Sequence, residues 1–228
     1  MVEEVKAKGL ASNPRVLEAL MKVPRHLFVP REYIDMAYED RPLPIGYGQT
    51  ISAPGVVARI AELLDPQPGE KVLDVGTGSG YQAAVLAELV APSEAPRESW
   101  GHVWSIEIIE ELAEAAKSNL REAGYIDRVT VVVGDGSMGY EPEAPYHRIA
   151  VGAAAPRIPE PLVDQLTPGG RLVIPIGDRF VQKLTVVEKG GDGSVRVWSD
   201  IEVLFVPLTG RYGFREGGEG FEKSHLTL

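Results

Sequence analysis

The sequence predicts an α/β fold: a doubly wound, mostly parallel, seven-stranded sheet with an antiparallel hairpin at its C-terminal edge. Three observations predict it. Short apolar runs alternate with stretches of helical periodicity from residue 71 to residue 176. A glycine turn, Gly76-Thr77-Gly78-Ser79-Gly80, joins the first of these runs to a helix. Beyond residue 181 the helical pattern stops, and two strand-like runs flank Gly190-Gly191-Asp192-Gly193, a hairpin signal.

Asn13-Pro14 starts a helix, with asparagine as cap and proline in the first position; Val16, Leu17, Leu20 and Met21 give it one apolar face. Prolines at 24, 30, 42 and 44 and glycines at 46 and 48 then exclude any long regular element before Ser52. On a compact domain such a segment reads as a substrate rim or lid, held down by Phe28, Tyr33 and Tyr38. Ser52-Ala53-Pro54 opens the next helix, with Val56, Val57, Ile60, Leu63 and Leu64 at helical spacing, and N-capping alone would explain a serine there. Val72, Leu73 and Val75 form a buried parallel strand. The helix over 81–90 carries Ala83, Leu86, Ala87 and Val90 on one face, and 91–101 is a polar connection. Further strands are expected at 102–106, 129–133, 148–151 and 171–176, with helices at 109–123 and 160–166. LTVVE and SVRVW make the hairpin, and DIEVLFVPL closes the set. The chain thus divides into an N-terminal helix and rim (1–52), a main domain (53–208) and a glycine-rich tail (209–228), all within one compact unit.

With 44% hydrophobic and 25% charged residues the chain is globular. No apolar run is long enough to span a bilayer and the N-terminus lacks a signal-peptide core, so the sequence reads as cytoplasmic, with no membrane partner. The lack of cysteine excludes disulfides, cysteine nucleophiles and thiolate metal sites, and no metal is expected. A net charge of −10 argues against a nucleic-acid surface. A monomer is expected, with the hairpin edge left open to a partner or to the tail.

A strand, a glycine turn and a helix N-terminus form a site for a nucleotide-like ligand, because main-chain N–H groups face it and glycines admit it closely. The dinucleotide pattern G-x-G-x-x-G needs a third glycine at position 81, where Tyr81 stands; the spacing here is G-x-G-x-G. Asp74, at the strand end just before the turn, would repel a pyrophosphate. It would attract a ligand carrying an ammonium and a sulfonium, as S-adenosylmethionine does. Asp74, Glu107 and Asp135 recur at successive strand ends, where open α/β sheets bind ligands. Together they match an amino group, a ribose diol and an adenine amine; each alone is equally explained as a helix cap.

Four blocks carry a family resemblance: AYEDRPLPIGYGQTISAP at 37–54, LDVGTGSGYQAAVLA at 73–87, VGDG at 133–136 and VGAAAPRIPEPLVDQLTPGGRLVIPIG at 151–177. In this order they resemble the class I S-adenosylmethionine-dependent methyltransferases, whose fold is Rossmann-like. More narrowly they resemble the protein-L-isoaspartate (D-aspartate) O-methyltransferases, and GQTIS is the specific block. The resemblance implies that Asp74, Gly76, Thr77, Gly78, Ser79, Gly80, Glu107, Asp135 and Gly136 hold S-adenosylmethionine, with S-adenosylhomocysteine as product. Glu107 would take the ribose hydroxyls, and Asp135 with Gly136 the adenine. It further implies a substrate wall of Gln49, Thr50 and Ile51, and a small-residue loop, Val151, Gly152, Ala153 and Ala154, along which a peptide backbone can lie. Ser52 would place its hydroxyl at the acceptor carboxylate as the catalytic group. Two positions depart from the family pattern: His147, where an acidic residue is common, and Gly55, where many members carry a larger residue, often histidine.

The implied reaction methylates the free α-carboxylate of L-isoaspartyl residues, and by extension the β-carboxylate of D-aspartyl residues, in damaged proteins and peptides. The ester then collapses to a succinimide and begins repair. A carboxyl group of pKa about 3.3–3.7 is already ionised at neutral pH and needs no general base. That agrees with His26, His102, His147 and His225, which form no nucleophile–base pattern. A nucleic-acid amino-methyltransferase would need a polar-Pro-Pro-aromatic motif after the fourth strand, where this chain has Gly152-Ala153-Ala154-Ala155-Pro156. A methyltransferase of a small-molecule carboxylate or hydroxyl remains the alternative. A non-catalytic cofactor-binding module is disfavoured by the intact GQTIS, and a nicotinamide oxidoreductase by Tyr81 and Asp74.

Overall fold

The computed structural model describes residues 1–214. Six α-helices, α1 (Val2–Ala7), α2 (Pro14–Lys22), α3 (Pro54–Leu64), α4 (Tyr81–Val90), α5 (Glu110–Glu122) and α6 (Glu160–Asp164), accompany nine strands among these residues. Strands β1 (Leu43–Gly46) and β2 (Gln49–Ile51) form a separate hairpin. The main sheet holds β3 (Lys71–Val75), β4 (His102–Glu107), β5 (Val129–Val133), β6 (Tyr146–Val151), β7 (Leu166–Gly177), β8 (Gln182–Lys189) and β9 (Val195–Val203), in the order β5-β4-β3-β6-β7-β8-β9. The first five are parallel neighbours, and β7-β8-β9 is an antiparallel meander. The chain steps outward from β3 through β4 to β5, then returns to β6 on the other side of β3. That reversal makes the topological switch point, where an open sheet offers a crevice at its carboxyl edge.

The expected fold class is the one observed, with several local differences. Asn13 caps α2 as expected, accepting from the Arg15 N–H at 3.0 Å. Met21, however, is exposed, and Ala19 takes its place on the buried face. α1 was not expected. β6 and β7 start earlier than the sequence predicts, β7 running through the Pro168-Gly169-Gly170 stretch that reads as a turn. SVRVW and the start of DIEVLFVPL are one strand, not two. Asp200, the first residue of the expected closing strand, lies inside β9, and its carboxylate accepts two bonds of 2.6 Å from Arg59 of α3. Of the expected tail, 209–214 pack against the body, the Phe214 N–H donating to the Leu208 carbonyl at 2.8 Å; the expectation for 215–228 lies outside the described residues.

Residues of the first 52 share one buried cluster with α3, α4 and the sheet: Val5, Val16, Leu20, Phe28, Leu43 and Ile51 belong to it. A second cluster around Leu73, Ile149, Leu162 and Leu172 includes Leu208 from the C-terminal segment.

Candidate active site

Two carboxyl-edge turns meet at the switch point. Gly76 follows β3 with φ 89°, and Gly152 follows β6, donating its N–H to the Val75 carbonyl at 2.8 Å. A Cβ built on Gly152 would stand 3.2 Å from the Gly76 carbonyl oxygen, so a side chain there would close the gap between the turns. Over them lies the end of β2. The resulting cavity is lined by Thr50, Ile51, Ser52, Val57, Gly76, Thr77, Gly78, Ser79, Tyr81, Gln82 and Gly152. The GQTIS block and the glycine loop are thus opposite walls of one space, although 23 residues, α3 and β3 among them, separate Ser52 from Gly76 in sequence.

Ser52 is half-buried on this wall, and it does not cap α3: the cap residue is Ala53, without a side-chain bond. That work falls to Asp40, whose carboxylate accepts from the Gly55 N–H at 2.7 Å and is paired with Lys8 at 2.7 Å. Gly55 is therefore a packing position. A Cβ on it would come within 2.5 Å of Leu10 Cδ1 and 2.8 Å of Asp40 Oδ1, and it does not line the cavity. His147 is likewise structural, its Nδ1 accepting from the Lys71 N–H at 3.0 Å at the opposite edge of the sheet from the cavity.

The acidic strand ends divide into three situations. Asp74 is wholly buried beneath the loop and does not line the cavity. Its Oδ1 accepts from Gln82 Nε2 at 2.8 Å and its Oδ2 from Ser105 Oγ at 2.7 Å. Burial pushes its pKa up to about 6, against the pull of these two bonds. Of these two partners, Gln82 lines the cavity and Ser105 does not. Glu107 is nearly buried; one oxygen accepts from the Gly78 N–H at 2.8 Å and the other from the Ile109 N–H at 3.1 Å, so it fixes the glycine loop to the end of β4. Asp135 is a cap: Oδ1 accepts from the Ser137 N–H at 2.9 Å and hydroxyl at 2.6 Å, and Oδ2 from the Arg211 N–H at 2.8 Å. The C-terminal segment thus sits on the carboxylate assigned to adenine. Gly136 is glycine for steric reasons, since a Cβ would lie 2.6 Å from Val75 Cγ1.

The remaining expected wall is only partly open. Val151, Ala153 and Ala154 are buried. The Ala154 main chain is bonded to Val206 and Leu208, and that of Ala155 to Pro175 and Gly177, so the loop's edge beyond Ala153 is occupied by the chain itself. Gln49 turns toward its own hairpin, donating to the Tyr47 carbonyl at 3.4 Å.

The sequence reading passed over Gln82, Ser105 and Arg25. Gln82 is the one polar residue in the first two turns of α4, and Ser105 interrupts an apolar strand in register with Asp74. Arg25 is fully buried; its Nε donates to the Ala37 carbonyl at 2.7 Å and its guanidinium lies 4.7 Å from the Tyr81 ring centroid. Burial lowers its pKa to about 10. Phe28 meets the same ring edge-on at 5.7 Å. Tyr81, the residue in place of a third glycine, thus anchors the rim segment.

The cavity fits a cationic nucleoside ligand in two respects: paired glycines let it approach the main chain, and no lysine or arginine lines it. Among the described residues no group of three or more His, Asp or Glu is placed to hold a metal ion.

Comparison with known proteins agrees. The sequence model of the protein-L-isoaspartate(D-aspartate) O-methyltransferase family matches residues 1–213. The chain is 64% identical over 216 residues to the protein-L-isoaspartate O-methyltransferase of Aeropyrum pernix, covering 95% of this chain and 80% of that one. It is 60% identical to the Hyperthermus butylicus protein of the same name, covering 95% and 90%. A crystal structure of a Plasmodium falciparum protein assigned the same activity, in complex with S-adenosyl-L-homocysteine, superposes with a TM-score of 0.78 at 28% identity, covering 91% and 96%.

Proposed function

Because this chain belongs to the protein-L-isoaspartate(D-aspartate) O-methyltransferase family, we propose that the cavity between Ser52 and the glycine loop is where methyl transfer occurs. The activity is S-adenosylmethionine-dependent methylation of isoaspartyl residues in proteins and peptides. The observation that carries the assignment of the site is the meeting of Thr50, Ile51 and Ser52 with Gly76–Gly80 and Gly152 around one space.

S-adenosylmethionine supplies a methyl group made electrophilic by its sulfonium. The glycine loop, closed on Glu107 through the Gly78 N–H, gives it a rigid floor. Ser52 donates a hydrogen bond that orients the acceptor carboxylate, and no residue has to remove a proton, since the acceptor is ionised at neutral pH. An anion and a cation combine, so the transition state is less polar than the reactants. Apolar walls from Ile51, Val57 and Tyr81 favour it by keeping water out. Holding the acceptor oxygen in line with the methyl group contributes on the order of several kcal/mol.

The test is methyl transfer to an isoaspartyl peptide with its aspartyl twin as control. Transfer to the first alone is expected; equal transfer to both, or none, would refute the assignment. The same reading takes the enzyme to be a cytoplasmic monomer acting without nucleic acid or membrane. Light scattering on the eluted peak of a sizing column checks that it is a monomer. No helix among the described residues is long and apolar enough to cross a membrane.

A further inference from the structure

The carboxylate of Asp74 is wholly buried beneath the cavity, yet it does not reach it. What it does can be worked out by counting protons. An ionised carboxylate only accepts, so both of its neighbours must donate: Gln82 Nε2 to Oδ1 at 2.8 Å and Ser105 Oγ to Oδ2 at 2.7 Å. A serine hydroxyl has one proton, and that of Ser105 is committed to Asp74. Ser105 Oγ is also 2.7 Å from Thr77 Oγ1, so in this second bond Thr77 must be the donor. The single proton of Thr77 is then committed as well. Only lone pairs are left on its oxygen.

Gln82 is constrained in the same sense. With its amide nitrogen held to Asp74, its carbonyl oxygen is turned away from that carboxylate. Thr77 and Gln82 both line the cavity. One buried negative charge therefore sets the polarity of two neutral side chains, and each has an acceptor left to offer a ligand. An ammonium carries three N–H donors and a positive charge. It would find acceptors on both side chains and, behind them, an unscreened carboxylate in a medium of low dielectric constant.

We propose that Gln82 and Thr77 are the direct acceptors for the ammonium of the donor's methionine end, with Asp74 and Ser105 as positioning residues that fix which atoms they present. The proposal rests on the reading of this cavity as the S-adenosylmethionine site. It explains why Asp74 is placed beneath the cavity with a serine at the paired position of the next strand, Asp74 and Ser105 being register partners of β3 and β4. It also explains the lone polar residue in the apolar first turns of α4.

The test compares two ligands by calorimetry: S-adenosylhomocysteine, which has the ammonium, and 5′-methylthioadenosine, which shares the thioether nucleoside and lacks the amino-acid end. Gln82→Met keeps the length of the side chain and removes the acceptor. It is expected to weaken S-adenosylhomocysteine at least tenfold and 5′-methylthioadenosine less than twofold. Ser105→Ala frees the Thr77 proton and is expected to weaken the first ligand severalfold, again sparing the second. Asp74→Asn is expected to lose affinity for S-adenosylhomocysteine, and the exchange Asp74→Asn with Gln82→Glu, which keeps the total charge and moves the carboxylate to the cavity wall, is expected to restore most of it. Unchanged affinity for S-adenosylhomocysteine in Gln82→Met, or an equal loss for both ligands, would overturn the proposal. Binding of 5′-methylthioadenosine serves as the measure that each variant is folded. If the unaltered protein bound neither ligand, the reading of the cavity itself would fall.

Discussion

The raised pKa of Asp74 makes stability depend on pH in an unusual direction, and Asp74→Asn isolates the effect. Most carboxylates in a folded protein are paired and lose stabilising contacts when acid protonates them. Asp74 is wholly buried, and its pKa is pushed up from 3.8 to about 6. Between these values the folded chain binds a proton that the unfolded chain does not, so stability through this group falls as pH rises. The penalty is fully present above pH 6 and is relieved as pH falls through 6 toward 3.8. A difference of about 2.2 at 1.36 kcal/mol each is about 3 kcal/mol, of which roughly 2.4 kcal/mol develops between pH 4 and pH 7. Asparagine does not titrate, and the altered bonds to Gln82 and Ser105 add an offset that is the same at every pH. The assay is guanidinium unfolding of the ligand-free protein and the variant at pH 4, 5, 6 and 7. The quantity read is the difference in unfolding free energy, which cancels the titration of the other carboxylates. The original protein should gain about 2.4 kcal/mol on the variant as pH falls from 7 to 4. A flat difference, or one of the opposite slope, would refute the account of Asp74 as a desolvated carboxylate.

Ser52→Ala removes one hydrogen bond to a charged acceptor, about 1.5–3 kcal/mol. Steady-state turnover of an isoaspartyl peptide should fall about 10- to 150-fold at that magnitude, while calorimetric affinity for S-adenosylhomocysteine stays within twofold. Gly55→Ala drives a methyl group against Leu10 and the Asp40 carboxylate that caps α3, and chemical denaturation should register a loss of about 1–3 kcal/mol. Gly210 has φ 112° and stands so close to Asp135 that a Cβ would collide with its carboxylate. Gly210→Ala should release the C-terminal segment, seen as faster hydrogen exchange at the Arg211 and Tyr212 amides with the amides of β3 unaffected.

The parts of the site visible in the sequence are those whose signal is local. The apolar run of β3, the glycine turn and the start of α4 lie within 20 consecutive residues, and GQTIS is itself contiguous. What escaped depends on residues brought together from afar. The β1–β2 hairpin turns at Tyr47 and Gly48, with φ 53° and 72°. Asparagine or aspartate in the first of these positions would announce such a turn; tyrosine does not. Ser105 gains its meaning only from its register with Asp74, and Asp200 from an arginine 141 residues away. At another strand end the Asp135 carboxylate caps a turn, a role the sequence does offer, and also holds the Arg211 N–H from 76 residues away, which it does not.

These long-range contacts change how the rim over the site has to be understood. A segment rich in proline and glycine reads as a lid, free to close over bound substrates. Here it is fastened at four places. Arg25 and Phe28 hold it to Tyr81 at the head of α4, and Asp40 holds it to Gly55 at the head of α3. Ile45 Cδ1 lies 3.3 Å from where a Cβ would stand on Gly78 in the glycine loop. Swinging the whole segment would expose a fully buried guanidinium's aromatic contact, uncap a helix and uncover Leu43 and Phe28 together. Such an opening costs several kcal/mol on the scale of a single buried aromatic or aliphatic side chain, about 1.5–3 kcal/mol each. Beside the cavity wall the lightly held part of the segment is the hairpin tip at Tyr47, which is 60% exposed. Motion that admits a peptide is therefore cheapest at that tip, while Thr50, Ile51 and Ser52 stay fixed against the glycine loop. For a reaction accelerated mainly by alignment, a fixed wall of this kind is worth more than a closing one, because the acceptor's position is set before it binds.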